Sequence, residues 1–221
     1  MSTPKAMTVM ACVGLLAACG SDEVAQGEYP NADIAKISEV RSSFGPEFQY
    51  RDIAPMGIDP KLLQPQQMPE GLTFQPTECA KYARGELPDT GLAGNMAAAT
   101  AEGEGNRFIA MAVQTSEPIP HNDSDACKKV EFGGAQVRGV VESVEAPQIE
   151  GVRTAATHRV LQTVVGGVPR TGELYNYTAS FGTFLVIVTA NPLVIPGQKV
   201  APVNTQRARD LLTTAVADVK G

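Results

Sequence analysis

The chain has 221 residues, a formal charge of −6 and 43% hydrophobic residues, the make-up of one ordinary globular domain or a small pair. This acidic balance argues against nucleic-acid binding, which needs a basic patch or a high pI, and it offers no polybasic run for anionic lipid. Trp is absent and aromatics make up 5%, which weakens an aromatic-lined sugar or cation pocket, although five Tyr remain.

The N-terminus reads as a targeting segment. Lys5 supplies a short positive region, and Ala6 to Ala18 is an apolar run of mostly small residues. A spanning helix needs about twenty apolar residues, so this run is too short to cross a bilayer. It ends in Leu16-Ala17-Ala18-Cys19, which resembles the bacterial lipobox. That resemblance implies cleavage before Cys19 and a thioether link from its thiol to diacylglycerol. Each buried methylene adds about 0.8 kcal/mol, so two or three acyl chains hold a protein firmly on a membrane. The alternative is an ordinary secretory signal whose cysteine is incidental. On the lipoprotein reading, residues 1–18 are the signal peptide, 19–30 the lipidated Cys19 and a polar tether, and 31–221 a single α+β extracytoplasmic domain.

Cysteine arithmetic follows from that reading. Cys12 leaves with the signal and Cys19 carries lipid, so Cys79 and Cys127 remain. A pair in an oxidising compartment predicts one disulfide, and closing a loop of about fifty residues would stabilise by roughly 3–4 kcal/mol. Two buried free thiols are the alternative. Two distant cysteines supply too few ligands for a metal site.

Beyond the tether, Ile34, Ile37, Val40 and Phe44 recur at helical spacing, which predicts a helix over 31–44 capped by Asn31 or Asp33 and ended by Gly45-Pro46. "EFQYRDI" alternates and predicts a short strand. Prolines at 55, 60, 65, 69 and 76 predict an irregular excursion with a helical turn over 60–64. "TECAKYAR" predicts a short helix capped by Thr77, stopped by Gly85 and carrying Cys79. Runs 92–102 and 106–116 flank "GEG" and predict a hairpin. "SDACKKV" predicts a second short helix that carries Cys127.

The second half predicts strands over 135–145, 152–165 and 174–181. "TFLVIVTA" is apolar throughout and predicts a central strand buried on both faces. A Pro-rich loop follows. Ala208, Leu211, Leu212, Ala215 and Val219 then share one face of a closing amphipathic helix over 204–219. The expected fold is α+β: a mainly antiparallel twisted sheet with N- and C-terminal helices packed on it and one disulfide.

The lipobox, "IAKISEVRSSFGPEFQYRDI", the Pro-rich stretch, "FQPTECAKYARGELP", the Ala-rich hairpin, "DACKKVEF" and the terminal helix together resemble a family of mycobacterial lipoproteins of unknown function. The "EC…DAC" block and the strands after it are more distantly similar to the extracellular sensor domain of PknH-type mycobacterial kinases. The resemblance implies an extracytoplasmic α+β sheet domain with a groove for ligand sensing and no established activity. The sensor domains use two disulfides in this comparison, whereas this chain has cysteines for one.

Candidate chemistry is sparse. His121, with Asp123 and Asp125 nearby, reads either as an acid–base or metal cluster or as the start of a helix. His158 lies mid-strand without a visible carboxylate or nucleophile, both of which catalysis requires. Glu102 and Glu104 read as turn residues rather than paired glycosidase carboxylates. No Gly-x-Ser-x-Gly, Walker or dinucleotide fingerprint is present, and "DSDAC" is too short for a calcium loop. No catalytic residue, metal ligand or cofactor is assigned. Tyr175 and Tyr177, one strand face apart by two residues, offer an apolar body and a polar tip for a ligand groove with His158, or ordinary sheet packing.

Three readings of function follow. The first is a lipid-anchored cell-envelope lipoprotein on the extracytoplasmic face of the cell membrane, non-catalytic, binding a lipid, a glycan or an envelope protein. The second is an envelope hydrolase whose site assembles only in the fold. The third is an accessory subunit of an envelope complex.

Overall fold

A computed structural model describes residues 29–58, 68–85, 93–118 and 125–221. The lipobox with Cys19, most of the tether, the expected turn over 60–64 and His121 lie outside the described residues.

Among the described residues nine antiparallel strands form a single sheet: β1 (Gln49–Gly57), β2 (Thr73–Gln75), β3 (Gly94–Gly103), β4 (Asn106–Thr115), β5 (Lys129–Gly133), β6 (Val137–Ser143), β7 (Arg153–Val165), β8 (Val168–Phe181) and β9 (Phe184–Pro192). Their spatial order is β1-β3-β4-β9-β8-β7-β6-β5-β2, so β5 to β9 form a meander and β9 returns to the β3–β4 hairpin. A short helix α1 (Ala80–Arg84) and a longer α2 (Thr205–Lys220) complete the α+β fold.

The N-terminal helix, Ile34–Ser43, is a 310 helix of ten residues. Its pattern explains this. Ile34, Ile37 and Val40, its buried residues, stand three apart. Three residues per turn align them in one row, whereas an α-helix would rotate each by about 60° from the last. Asp33 caps it through a bond from the Ala35 N–H.

This helix and α2 cover the front face over β1, β3, β4, β9 and β8. The floor is built from small residues: Ala97, Ala99, Ala101, Ala110, Ala112, Ala179 and Ala190 are buried with Val186 and Val188. Ala208, Leu211, Leu212, Ala215, Val216 and Val219 of α2 fill the space above. Each large apolar side chain removed from water there contributes about 1.5–3 kcal/mol.

The opposite face carries two separate apolar groups. Met96, Ala98, Met111, Val113 and Leu185 lie behind β3, β4 and β9. Phe74, Ala83, Val130, Phe132 and Val141 surround the Cys79–Cys127 disulfide at the β2–β5–β6 end. Gly139 is needed there, because a Cβ would clash with the Val160 carbonyl oxygen and the Phe132 ring.

Several expectations are corrected. "SDACKKV" is not a helix: a single 310 turn (Asp125–Cys127) leads straight into β5, whose Val130 and Phe132 alternate into the apolar group around the disulfide. Thr77 caps nothing, since a 310 turn (Thr77–Cys79) runs into α1 with no side-chain cap; Gly85 does end it, at φ 65°. The irregular stretch does not begin at Pro55, which lies within β1 at a register shift between Ile53 and Met56. An edge strand tolerates a proline at such a bulge. The "GEG" hairpin is as expected, closed by Glu104 at φ 50° and Gly105 at φ 74°, the left-handed pair of a two-residue turn.

Asp218 of α2 lies near Glu39 and Lys36 of the 310 helix. Burial, then repulsion from Glu39, raises its carboxyl above the ordinary range against the pull of Lys36. A carboxyl with a raised folded pKa opposes folding when charged. That cost is full above the raised value and vanishes below the ordinary one. Asp218→Asn is therefore expected to raise Tm at pH 7, with the gain disappearing near pH 3, as measured by thermal melts across pH. Cys79 and Cys127 stand 48 residues apart. Replacing both by Ala is expected to cost about 4 kcal/mol in urea unfolding.

Candidate functional site

The helices stop over the 177–181 part of β8, and residues 144–152 pack beside Ala156 of β7; among the described residues no helix covers the front of β5, β6 or the halves of β7 and β8 over 158–165 and 168–175. His158 on β7 stands directly opposite Tyr175 on β8, and Glu142 on β6 stands opposite His158 on its other side. Lys129 on β5 completes the row and meets Glu142 at 3.1 Å. Residues two apart share a strand face, so the next row is Glu131, Val140, Val160 and Glu173.

The His158 and Tyr175 rings stack with centroids 4.1 Å apart and planes at 9°. His158 Nε2 lies 3.2 Å from Glu173 Oε2. Burial first, and the Glu173 charge second, raise the Tyr175 hydroxyl above its ordinary value. The site thus presents the edges of two stacked rings, beside two carboxylates and a lysine, over a half-buried Val140 and Val160 floor. Such a surface suits an amphipathic ligand with hydroxyl or amide groups.

Tyr177 departs from the expectation. It is 1% exposed and belongs to the core beneath α2, so a ligand on this face meets Tyr175 and His158 but not Tyr177. Burial raises its hydroxyl, and the charge and hydrogen bond of Arg209 oppose that rise. Strand alternation places Tyr175 and Tyr177 on one face, but only the position of α2 separates a covered tyrosine from an open one.

His158 has the carboxylate that an acid–base pair needs. Among the described residues its ring bonds to no serine, threonine or tyrosine hydroxyl, so the nucleophile of a triad is not beside it. Glu102 and Glu104 are separately engaged, with Arg107 at 2.6 Å and with Arg207 at 3.3 Å. Among the described residues no group of three or more His, Cys, Asp or Glu could hold a metal.

A second concavity went unread in the sequence. A cavity of about 350 Å³ opens between the β3–β4 turn and the loop before α2, lined by Asn106, Phe108, Ala201, Pro202, Val203 and Asn204 among others. Asn106 is 3% exposed and organises it. Its amide donates to Glu104 O and Pro202 O at 3.1 and 3.3 Å, and its oxygen accepts from the Asn204 N–H at 3.1 Å. With these groups paired, Asn106 acts as a strut between hairpin and loop. The one signal for it was an asparagine opening a strand directly after a Gly turn.

The architecture is that of a small disulfide-stapled sheet domain in which, among the described residues, helices cover only part of the front face. The chain belongs to the DUF5642 family, described as a domain of unknown function, whose model matches residues 33–220. It is similar to the X-ray structure of an uncharacterised Mycobacterium smegmatis protein, the Rv0999 ortholog, at 59% identity and TM-score 0.81, over 87% of this chain and 100% of that one. It is distantly similar to the extracellular domain of PknH from Mycobacterium tuberculosis, at 13% identity and TM-score 0.38, over 81% and 91% of the two chains. At that TM-score no property passes from one to the other. No curated protein matches the chain. Among the described residues no helix is long and apolar enough to cross a membrane.

The stacked pair has a measurable energy. A double-mutant cycle with His158→Ala and Tyr175→Ala is expected to give a coupling of about 0.5–1.5 kcal/mol by urea unfolding. Additive single effects would mean that the rings do not stack in solution.

Proposed function

We propose that this chain is an exported lipoprotein, lipidated on Cys19 and held on the extracytoplasmic face of the cell membrane, whose folded part is a non-catalytic binding module. The observation that carries the extracytoplasmic reading is the disulfide: Cys79 and Cys127 meet with Cα atoms 5.5 Å apart, and such bonds persist in oxidising compartments. The apolar run ending at Leu16-Ala17-Ala18-Cys19 supplies the anchor. The tether to Tyr29 is ten residues long and reaches about 35 Å when extended.

The binding face is the open sheet around His158, Tyr175, Glu142 and Glu173. Its half-buried valines and stacked rings suit the apolar side of a lipid or glycan, and its carboxylates accept from hydroxyls. An envelope protein is the other class of partner. The hydrolase reading is not advanced, because the His158–Glu173 pair has no hydroxyl partner among the described residues.

Mass spectrometry of the envelope-bound protein from a lipoprotein-processing host is expected to find diacylglycerol on Cys19, and Cys19→Ala to release the domain into the soluble fraction. An unmodified Cys19 in such a host sinks the anchor. For the binding face, solvent extraction of the purified protein is expected to yield a bound lipid or glycan. His158→Ala and Tyr175→Ala should each weaken its rebinding about tenfold, equivalent to roughly 1.4 kcal/mol.

A further inference from the structure

The two ends of the sheet differ in chemistry. At one end the chain enters the fold: the Tyr29 ring packs edge-on against Phe181 at 5.0 Å, and its hydroxyl donates to Gly151 O at 3.3 Å. At the other end three segments meet. The β7–β8 hairpin projects there, because Tyr175 is already opposite Ala190 and β8 from Val168 to Leu174 runs past the β9 pairing. The β5–β6 turn flanks it, with Arg138 donating to Gln162 Oε1 at 2.8 Å. The loop 193–203 leaves β9 at the same end, held by the Leu193 N–H to Gly105 O bond of 2.8 Å.

Most of the large exposed apolar residues of the described chain stand on this end. Val194 is 67% exposed, Val168 56%, Val164 49%, Val200 45% and Ile195 43%, while the others, Ile53 and Met56, lie on edge strand β1. Arg138, Arg170 and Lys199 are exposed among them. Segments 134–140, 161–172 and 193–203 hold no Asp or Glu, although the chain carries −6. Of the bordering carboxylates, Glu104 is paired with Arg207, Glu102 with Arg107 and Glu173 with His158, whereas the exposed Glu131, opposite Val140, Glu47, beside Gly103, and Glu70 stand at the margins.

We infer that this end is a contact surface for an anionic bilayer, with the valine-bearing tips entering the headgroup layer and the three cations meeting lipid phosphates. Loop apolarity combined with surrounding cations is the pattern of interfacial binding. The hairpin itself favours lipid over a protein partner or a second copy. Val164 pairs with Pro169 and Val165 with Val168, so Val164 and Val168 point to opposite faces of the ribbon. A flat partner would bury one of them, whereas insertion of the tip buries both. Val168 and Phe181 stand about 43 Å apart along β8, beyond the roughly 35 Å reach of the extended tether, so a domain anchored at Cys19 meets its own membrane with this end only when the sheet is tilted. The inference does not depend on the anchor, so its failure and the failure of lipidation at Cys19 are separate results.

The related M. smegmatis chain, all of which aligns with 87% of this one, forms crystals, so the corresponding part folds alone and residues 29–221 serve for the test. The chain has no Trp, which makes an introduced one a clean probe. Val194→Trp and Val168→Trp are expected to shift to the blue on vesicles of phosphatidylcholine with about 30% phosphatidylglycerol, and Met56→Trp is not. Sedimentation with these vesicles is expected to weaken about tenfold or more on pure phosphatidylcholine, in Arg138→Ser/Arg170→Ser/Lys199→Ser and in Val164→Ser/Val168→Ser/Val194→Ser, with Tm unchanged. No sedimentation with the anionic vesicles, or a cation variant that binds within about twofold of the parent, overturns the inference. So does a blue shift that grows with protein concentration in the absence of lipid, which would assign the surface to a second copy.

Discussion

The fold depends on how closely α2 can lie on the sheet. Alanine at positions 97, 99, 101, 110, 112, 179 and 190 makes the floor beneath it shallow. Leu211, Leu212, Val216 and Val219 fill that depth, and a larger side chain in the floor would lift the helix off its other contacts. The 310 helix shares the constraint, because its single row of Ile34, Ile37 and Val40 occupies the remaining strip beside α2. Its C-terminal end is then tied by the Arg207 guanidinium, which donates to Ser43 O at 3.2 Å and lies 4.9 Å from the Phe48 ring centroid.

A sheet of nine strands has more surface than two helices cover, and the chain divides the task. The front is covered over β1, β3, β4, β9 and β8, and the back at the β2–β5–β6 end is covered by the disulfide-linked α1. Arg159 helps to hold α1, donating to Ala83 O at 3.1 Å from beneath it. Its guanidinium is buried enough that desolvation lowers its pKa. Among the described residues this diagonal arrangement leaves no helix over the front of β5, β6 and the halves of β7 and β8 over 158–165 and 168–175, where the His158–Tyr175 stack sits. The candidate site is thus a consequence of which face each covering element reaches.

Strands and helices with a clean period were legible. The "TFLVIVTA" run is β9, with β4 and β8 on either side, and the closing helix buries the residues its period marks. What misled was short and mixed. "SDACKKV" has an acidic start and a lysine pair that suit a helix, yet Val130 and Phe132 belong to a strand because β6 and β2 are there to pair with it. Of the candidate site, His158 and Tyr175 were visible as residue types, but their stacking depends on a register set by the Gly166–Gly167 turn, and Glu173 enters only through that register. Asn106 was invisible as a strut, because its partners Pro202 and Asn204 lie about a hundred residues away.

By itself the sequence determined the order and kind of the main elements, the cysteine pair and the apolar N-terminal run, since local periodicity, turn chemistry and residue counting express these directly. Only the tertiary structure decided which tyrosine is covered and which face is open. It also gathered Arg138, Arg170 and Lys199 onto one end of an acidic protein. These outcomes turn on the placement of α2 and on strand register, which are set by packing between segments far apart in the chain.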